Sequence, residues 1–342
     1  MKKRRILVLM HADLVPPASL EGLPESEINR WKMEYDVLAT LEQLGHEVRA
    51  LGVEDELRPI REAIATFQPH LCFNLLLHFH DAGVYDSAIV SWLELLKQPY
   101  TGCNARGLLL AGDKGLSKKV MAYHRIRVPR FVQFPLGRRP RKLPARLRFP
   151  LFVKSSVEHA STGISQASIV RDEAHLYERV DFVHRHVGTG AIAEEYIEGR
   201  ELTIGVLGNQ RLTAFPVWEM TFGSLPEGAP NIATSRVKWD KEYQKQVDLK
   251  TGMAKDLPAG AEAAIAKTAK RIYRALDLSG YARIDMRMDG EGQVWVLEAN
   301  PNPDLCFGED FAESAELAGL GYGALLQRIV GLGESYVPAW KA

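Results

Sequence analysis

The chain is poor in cysteine. Cys72, Cys103 and Cys306 are odd in number, scattered, and not at metal-ligand spacing. That argues against a disulfide framework and favours a reducing cytoplasm. No sign of charge predominates either. Lys plus Arg and Asp plus Glu each total 43, so the formal net charge is zero and nothing global draws the protein to nucleic acid or an anionic membrane. Long apolar runs are also missing. The basic start, Met1 to Arg5, leads into five apolar residues before His11, too few for a signal peptide, and no stretch approaches a transmembrane span. There is no internal repeat, no low-complexity block and no Gly-x-x-x-x-Gly-Lys-Ser/Thr phosphate loop.

What is present is a soluble globular composition, 46% hydrophobic and 25% charged, in 342 residues, more than one core accommodates. Two or three domains are expected. Strand-like runs at 6–10, 47–53 and 71–77 alternate with helical stretches at 25–44 and 54–67, the order of a parallel α/β layer. Further helices are expected near 86–96 and 113–123, with a proline-marked strand at 128–133. The basic run 137–148 lacks interleaved aromatics, so it reads better as a solvated linker than as a nucleic-acid patch.

Three clusters carry chemistry. The strands around Asp285 and Glu298 are joined by a turn at 289–292. Side chains alternate along a strand, so a turn of two or four residues puts Arg283, Asp285, Arg287, Glu298 and Asn300 on one face, with Ile284, Met286, Trp295, Leu297 and Ala299 on the other. Three oxygen ligands beside guanidinium groups suit Mg²⁺ with phosphate; two surface salt bridges are the plainer alternative. In the second cluster an apolar strand delivers Lys154 ahead of a small polar loop, 155–163. A buried strand-end lysine needs an anion or a route to solvent, and Ser161 and Thr162 are placed to wrap a phosphate. In the third, a strand runs into the acidic turn Glu194 to Glu201. Its backbone suits an adenine edge and Glu201 suits ribose hydroxyls, unless these are ordinary turn residues.

In this order the motifs resemble the ATP-grasp superfamily, most nearly the D-alanine–D-alanine ligases, convincingly from about Phe73 to Pro303. The matching pieces are Asp113 with Lys114, the 149–164 strand and loop, Glu194 to Glu201, Gly280 to Asp285, Leu297 to Asn300, and Leu93 to Leu96 with Pro99 to Gly102. The resemblance implies an α/β ATP-grasp fold of three domains. These are an N-terminal parallel α/β domain at 1–112, a small central α+β domain at 113–195 and a C-terminal α+β domain at 196–342 carrying the metal site. It also implies that Lys114, Lys154 and the loop at Ser161 hold ATP phosphates. Glu194, with the backbone of Glu195 and Ile197, would read adenine, with Tyr196 beside it and Glu201 on the ribose. Asp285, Glu298 and Asn300 would hold two Mg²⁺ (or Mn²⁺). Arg283 would stabilise the acylphosphate and the tetrahedral intermediate, and Tyr243 on a mobile lid would face substrate.

The implied reaction is carboxylate attack on the γ-phosphate, then amine attack on the acylphosphate, which positioning and charge neutralisation support without a nucleophilic side chain. His78, His80, Cys72 and Cys306 are therefore expected to be structural, although His80 lies in a region that faces substrate in the family.

The chain departs from the family at the amino-acid end. Where the family has a Gly-Gly-x-Ser-x-Glu loop whose glutamate grips an ammonium, His11 to Pro17 stand instead. The serine that pairs with the lid tyrosine is replaced by Ala160, and the segment after Asn300 becomes Pro301 to Leu305, where Asp304 is either a substrate ligand or a turn carboxylate. The expectation is an ATP-dependent carboxylate–amine ligase acting on an amino acid or peptide, without nucleic-acid or membrane partners and with a homodimer suggested by the family. D-alanine–D-alanine ligase proper and a non-catalytic ATP-binding module are the alternatives.

Overall fold

The computed structural model describes residues 2–19, 21–80, 82–138, 142–158, 161–225 and 230–338. Ala160, and part of the basic run at 139–141, lie outside them.

The first strand, Arg5–His11, is the centre of a parallel three-stranded sheet between Glu47–Val53 and Leu71–Asn74. Its period-2 pattern sorts the core. Ile6, Val8 and Met10 pack with Val37 and Leu41 of helix Glu25–Gln43 and with Leu325 and Ile329 of helix Tyr322–Ser335. Leu7 and Leu9 pack on the other face with Ile60 and Ile89. Helices on both faces are what a parallel sheet of near-continuous apolar strands requires. The N-terminal core thus draws on both ends of the chain, with His46 Nε2 bonded to Gln327 Oε1 at 2.9 Å.

Two expected boundaries shift for local reasons. The strand at 71 stops at Asn74 rather than Leu77, because Asn74 Oδ1 takes the Leu76 N–H (3.2 Å) and turns the chain out of the ladder. The second helix begins at Arg58, where Pro59 in its first turn has no N–H to leave unsatisfied.

A central antiparallel sheet orders Phe131–Phe134, Ala191–Glu195, Leu151–Ser155 and Ile169–Val170. Its inner face packs Phe134, Leu151 and Val153 against Leu176 and Val180 of helix Glu173–Phe182. The third sheet runs Leu249–Met253, Trp218–Phe222, Arg200–Leu207, Tyr281–Met288, Val294–Pro301, with Thr213–Ala214 alongside Arg200–Leu207.

The hairpin corrects one expectation. Met288 pairs with Val294, so five residues connect the strands rather than two or four. Asp289 organises that turn by accepting from the N–H groups of Glu291 and Gln293 (3.0 and 2.8 Å). A five-residue turn alone would set Asp285 opposite Leu297. A bulge at Leu297 takes up the odd residue, restoring Asp285 opposite Glu298 and Arg283 opposite Asn300. Ile284, Met286 and Ala299 enter the core as expected, joined by Val296. Trp295 and Leu297 do not. Trp295 bonds Asp289 Oδ2 at 2.8 Å under Arg127, and the Leu297 carbonyl turns to Lys118.

The segment after Asn300 is locked to the first half of the chain. Asn302, in left-handed backbone, accepts the Cys103 N–H at Oδ1 (2.8 Å). A Cβ on Gly102, itself at φ +90°, would meet that oxygen at 2.4 Å. Gly102→Ala is expected to destabilise by about 2 kcal/mol or more, since strain and a clash add. A denaturant midpoint equal to wild type would contradict it.

Candidate active site

Helix Lys114–Tyr123 starts where it does because Asp113 caps it, accepting from the N–H groups of Gly115 and Leu116 (2.8 and 2.9 Å). That cap fixes Lys114 in the first turn and Lys118 one turn later, on the same face. Both point toward the edge where the central sheet meets the hairpin. Lys154, on the central sheet, lies diagonally across from Glu194, whose strand pairs Ile192 with Lys154.

The result is a buried cluster. Glu194, 2% exposed, bridges Lys118 Nζ (2.8 Å) and Lys154 Nζ (3.0 Å). Glu298 Oε2 lies 3.5 Å from the ammonium groups of both Lys114 and Lys154. Lys114 also donates to Glu158 O (2.6 Å), and Lys118, fully buried, to the bulged Leu297 O (2.7 Å).

Burial alone would raise the Glu194 carboxyl, but Lys118 and Lys154 outweigh it and hold the group ionised. Burial likewise opposes charge on Lys154, and Glu194 and Glu298 together overcome it, keeping this ammonium above its ordinary value. For Lys114 and Lys118 burial wins and the values fall. Three buried lysines share two carboxylates, and burial disfavours the charge on Lys114 and Lys118. An anion would relieve that cost.

Beside it, Asp285 accepts from Arg283 Nε and Nη2 (2.7 and 2.9 Å) and from Asn300 Nδ2 (2.8 Å). Asp285, Glu298 and Asn300 thus bring oxygen donors together on paired strands, next to the lysine cluster. That donor chemistry fits Mg²⁺ shared with phosphate. No group of three or more His, Cys, Asp or Glu side chains stands close enough to hold a metal among the described residues.

The acidic turn is held by Arg287, 3% exposed, which donates to Gly199 O (2.7 Å) and Asn231 O (2.8 Å), lies 3.4 Å from Glu201 Oε2, and covers the Tyr196 ring at 5.1 Å. The chain around Glu195 and Tyr196 is fixed by Glu195 N–H to Arg130 O and Tyr196 N–H to Pro150 O, each 2.9 Å.

Two loops are tied to each other beside this floor. The Ser235 N–H bonds Ile164 O (3.0 Å) and its hydroxyl bonds Ser161 O, joining helix Ser235–Trp239 to the loop after Lys154. Burial lowers the Lys238 ammonium on that helix, with Arg283 lowering it further and Asp304, Asp285 and Glu298 opposing.

Of the residues singled out from sequence, Lys114, Lys154, Glu194 and Glu298 form one cluster and Arg283, Asp285 and Asn300 an adjoining one. Both oxygens of Glu194 engage lysines. The Tyr243 ring is covered by Arg236 at 4.1 Å, and exposed His80 donates its backbone N–H to Glu54 O (3.1 Å); neither makes a described contact with Arg283.

Sequence reasoning missed Lys118, Lys238 and Glu34, and placed Arg287 on the hairpin face without its contacts to Gly199 O, Asn231 O and Glu201. Spacing was the available signal: Lys118 is four residues past Lys114, and Glu34 shares a helix face with Val37 and Leu41, both fully buried. The Glu34 carboxyl is raised from 4.5 to about 7, by burial first and further by Asp304, against the lowering effect of a backbone N–H. The folded state therefore binds this proton more tightly than the unfolded chain. Its stability contribution is fully present below the unfolded value and is lost as pH rises toward 7. Glu34→Gln is expected to stabilise the protein by about 2–3 kcal/mol above pH 7 and to change little at pH 4. Parallel pH–stability curves would refute this.

This arrangement, two antiparallel sheets closing on a lysine–carboxylate cluster behind a parallel α/β layer, is the ATP-grasp class. The protein resembles the D-alanine–D-alanine ligase of Bacillus anthracis solved in complex with ATP, at TM-score 0.73 and 23% identity over 97% of each chain. The family model "D-ala D-ala ligase C-terminus" matches residues 119–331. The D-alanine–D-alanine ligase of Bordetella avium is 32% identical over 246 residues, 72% of this chain and 73% of that one. That of Desulforudis audaxviator is 30% identical over 302 residues, covering 87% and 91%. The chain belongs to the D-alanine–D-alanine ligase family of ATP-grasp ligases.

Proposed function

We propose that the protein binds ATP between its two antiparallel sheets, phosphorylates a substrate carboxylate, and joins the acylphosphate to an amine, on an amino acid or peptide that is not D-alanine twice. The convergence of three buried lysines, Lys114, Lys118 and Lys154, on only two carboxylates carries the reading. A phosphate would complete the pairing and favour the charged lysines, and the adjoining donors suit a metal that accompanies phosphate. The ATP in the Bacillus anthracis relative supports the same choice.

In this reading Lys114 and Lys154 bind phosphate oxygens, while Lys118 and Glu194 hold Lys154 in place. Arg287 orients Tyr196 beside the base and Glu201 toward the ribose. The loop at Ser161, docked on the lid, excludes water from the transferring phosphoryl group. Asp285, Glu298 and Asn300 would hold Mg²⁺, which neutralises phosphate charge during transfer. Arg283, paired with Asp285, faces the developing negative charge at the activated carbonyl. No side chain needs to act as a nucleophile. The rebuilt segments, His11 to Pro17 and Pro301 to Leu305, support a substrate other than D-alanine on both sides.

ADP release with pooled amino acids and Mg²⁺ tests the proposal. Amine-dependent release is expected, with little from D-alanine alone. No release with any carboxylate and amine would refute catalysis, and D-alanyl-D-alanine formed efficiently from D-alanine would refute the substrate assignment.

A further inference from the structure

Arg179 on helix Glu173–Phe182 is 8% exposed, and burial lowers its guanidinium with no carboxylate opposing among the described residues. An arginine taken out of water without an ion pair has to be held by other acceptors. Its Nη2 donates to Gly163 O and to Ser168 Oγ (3.0 Å), while its Nε has no partner among the described residues. Ser168, fully buried, also accepts the Ser165 N–H at 3.1 Å. Both ends of the segment 163–165 are therefore fastened to one guanidinium, at Gly163 directly and at Ser165 through one hydroxyl.

The same helix end shapes the space around Gly163. Arg179 Cζ lies 4.2 Å from the centre of the Phe182 ring. Past Phe182 the helix widens into the π-turn Val183–Val187, closed by the Gly188 N–H on Val183 O (3.1 Å). Such widened turns recur at functional sites. A Cβ on Gly163, whose φ is +71°, would meet Val187 Cγ2 at 2.8 Å and Phe182 Cε1 at 3.9 Å. The loop is thus seated on Arg179, Phe182 and Val187, while Ser235 separately takes Ser161 O and Ile164 O.

We propose that Arg179 is a positioning residue: it fixes the segment 163–165 so that the loop after Lys154 closes over ATP in one arrangement and keeps water from the transferring phosphoryl group. It acts through the loop backbone, and the planar fork suits this because one nitrogen serves two acceptors while the guanidinium lies on Phe182. The proposal rests on reading that loop as the cover of the ATP phosphates. It adds that the cover is set by the helix on which the loop is seated, as well as by the Ser235 contact.

Arg179→Met keeps the apolar stem and removes the fork, and Arg179→Lys returns one cationic donor. Two quantities are read with Mg²⁺, ATP and pooled amino acids: ADP released per amide formed, and hydrogen exchange in a peptide spanning 161–170 with and without Mg²⁺ and ATP. In the wild type ADP and amide should match, and ATP should slow exchange in that peptide. Arg179→Met should raise ADP per amide at least about threefold, as water replaces the carboxylate in accepting the phosphoryl group, and should lose the ATP-dependent protection. Arg179→Lys should fall between the two. A lowered melting temperature with either quantity left at its wild-type value would make the arginine merely structural and overturn the proposal. A wild-type loop that ATP does not protect would overturn it as well. If Arg179→Met does not fold, Arg179→Lys and Ser168→Ala carry the same two readouts, and wild-type values in both overturn it. Protection by ATP without ADP release contradicts the ligase reading alone.

Discussion

Glu298→Gln is expected to lower turnover at least a thousandfold while the protein remains folded. The side chain occupies the one point where the two clusters meet: 3.5 Å from the ammonium groups of Lys114 and Lys154, and opposite Asp285 across the hairpin. The amide keeps the shape but removes the charge that, in the proposed function, ties the metal donors to the phosphate lysines. A loss of electrostatic preorganisation at a phosphoryl-transfer site is worth about 10²–10³ per donor, and more where a metal is also released. Stability should change less, because Glu298 is partly exposed and its two lysines retain Glu158 O and Glu194 as partners. Activity surviving at ordinary Mg²⁺ concentrations would show that this carboxylate does not hold a metal.

Glu194→Gln should behave in the opposite way, acting first on stability. Both of its oxygens are buried on lysines, so the variant leaves three buried lysines, Lys114, Lys118 and Lys154, to one carboxylate, Glu298. Breaking such a pair costs about 3–5 kcal/mol. The remaining folded fraction should show weakened ATP affinity, because Lys118 and Lys154 are no longer anchored. Glu194→Met tests the same point with an apolar replacement, and its stability should drop similarly. A melting temperature equal to wild type in both variants would mean that the lysines do not depend on Glu194. The contrast between Glu194 and Glu298 distinguishes a carboxylate that positions lysines from one that faces ligand.

The sheets and the site floor were legible in the sequence because they repeat simple periods. Alternation between Ile6, Val8, Met10 and Leu7, Leu9 marks a strand buried on both faces. The carboxylates of the hairpin fall on one side by the same rule. The bulge at Leu297 was not legible, since one extra residue leaves composition and local pattern unchanged. Its consequence, a carbonyl turned to Lys118, follows only from pairing across three segments. Glu194 shows a related limit. A motif names the residue, but whether its side chain meets a ligand or a lysine depends on Lys118, 76 positions earlier in the chain. Glu34 lay outside any motif, and its raised carboxyl follows from burial that only the folded helix shows.

The central claim is that this lysine–carboxylate cluster drives carboxylate activation by ATP. The most direct measurement supplies Mg²⁺, ATP and amino acids labelled with ¹⁸O in the carboxylate, and follows both ADP and the isotope in released phosphate. The account predicts amine-dependent ADP release with ¹⁸O carried from the carboxylate into phosphate. ADP released with unlabelled phosphate, or no ADP with any amino acid or short peptide, would contradict it.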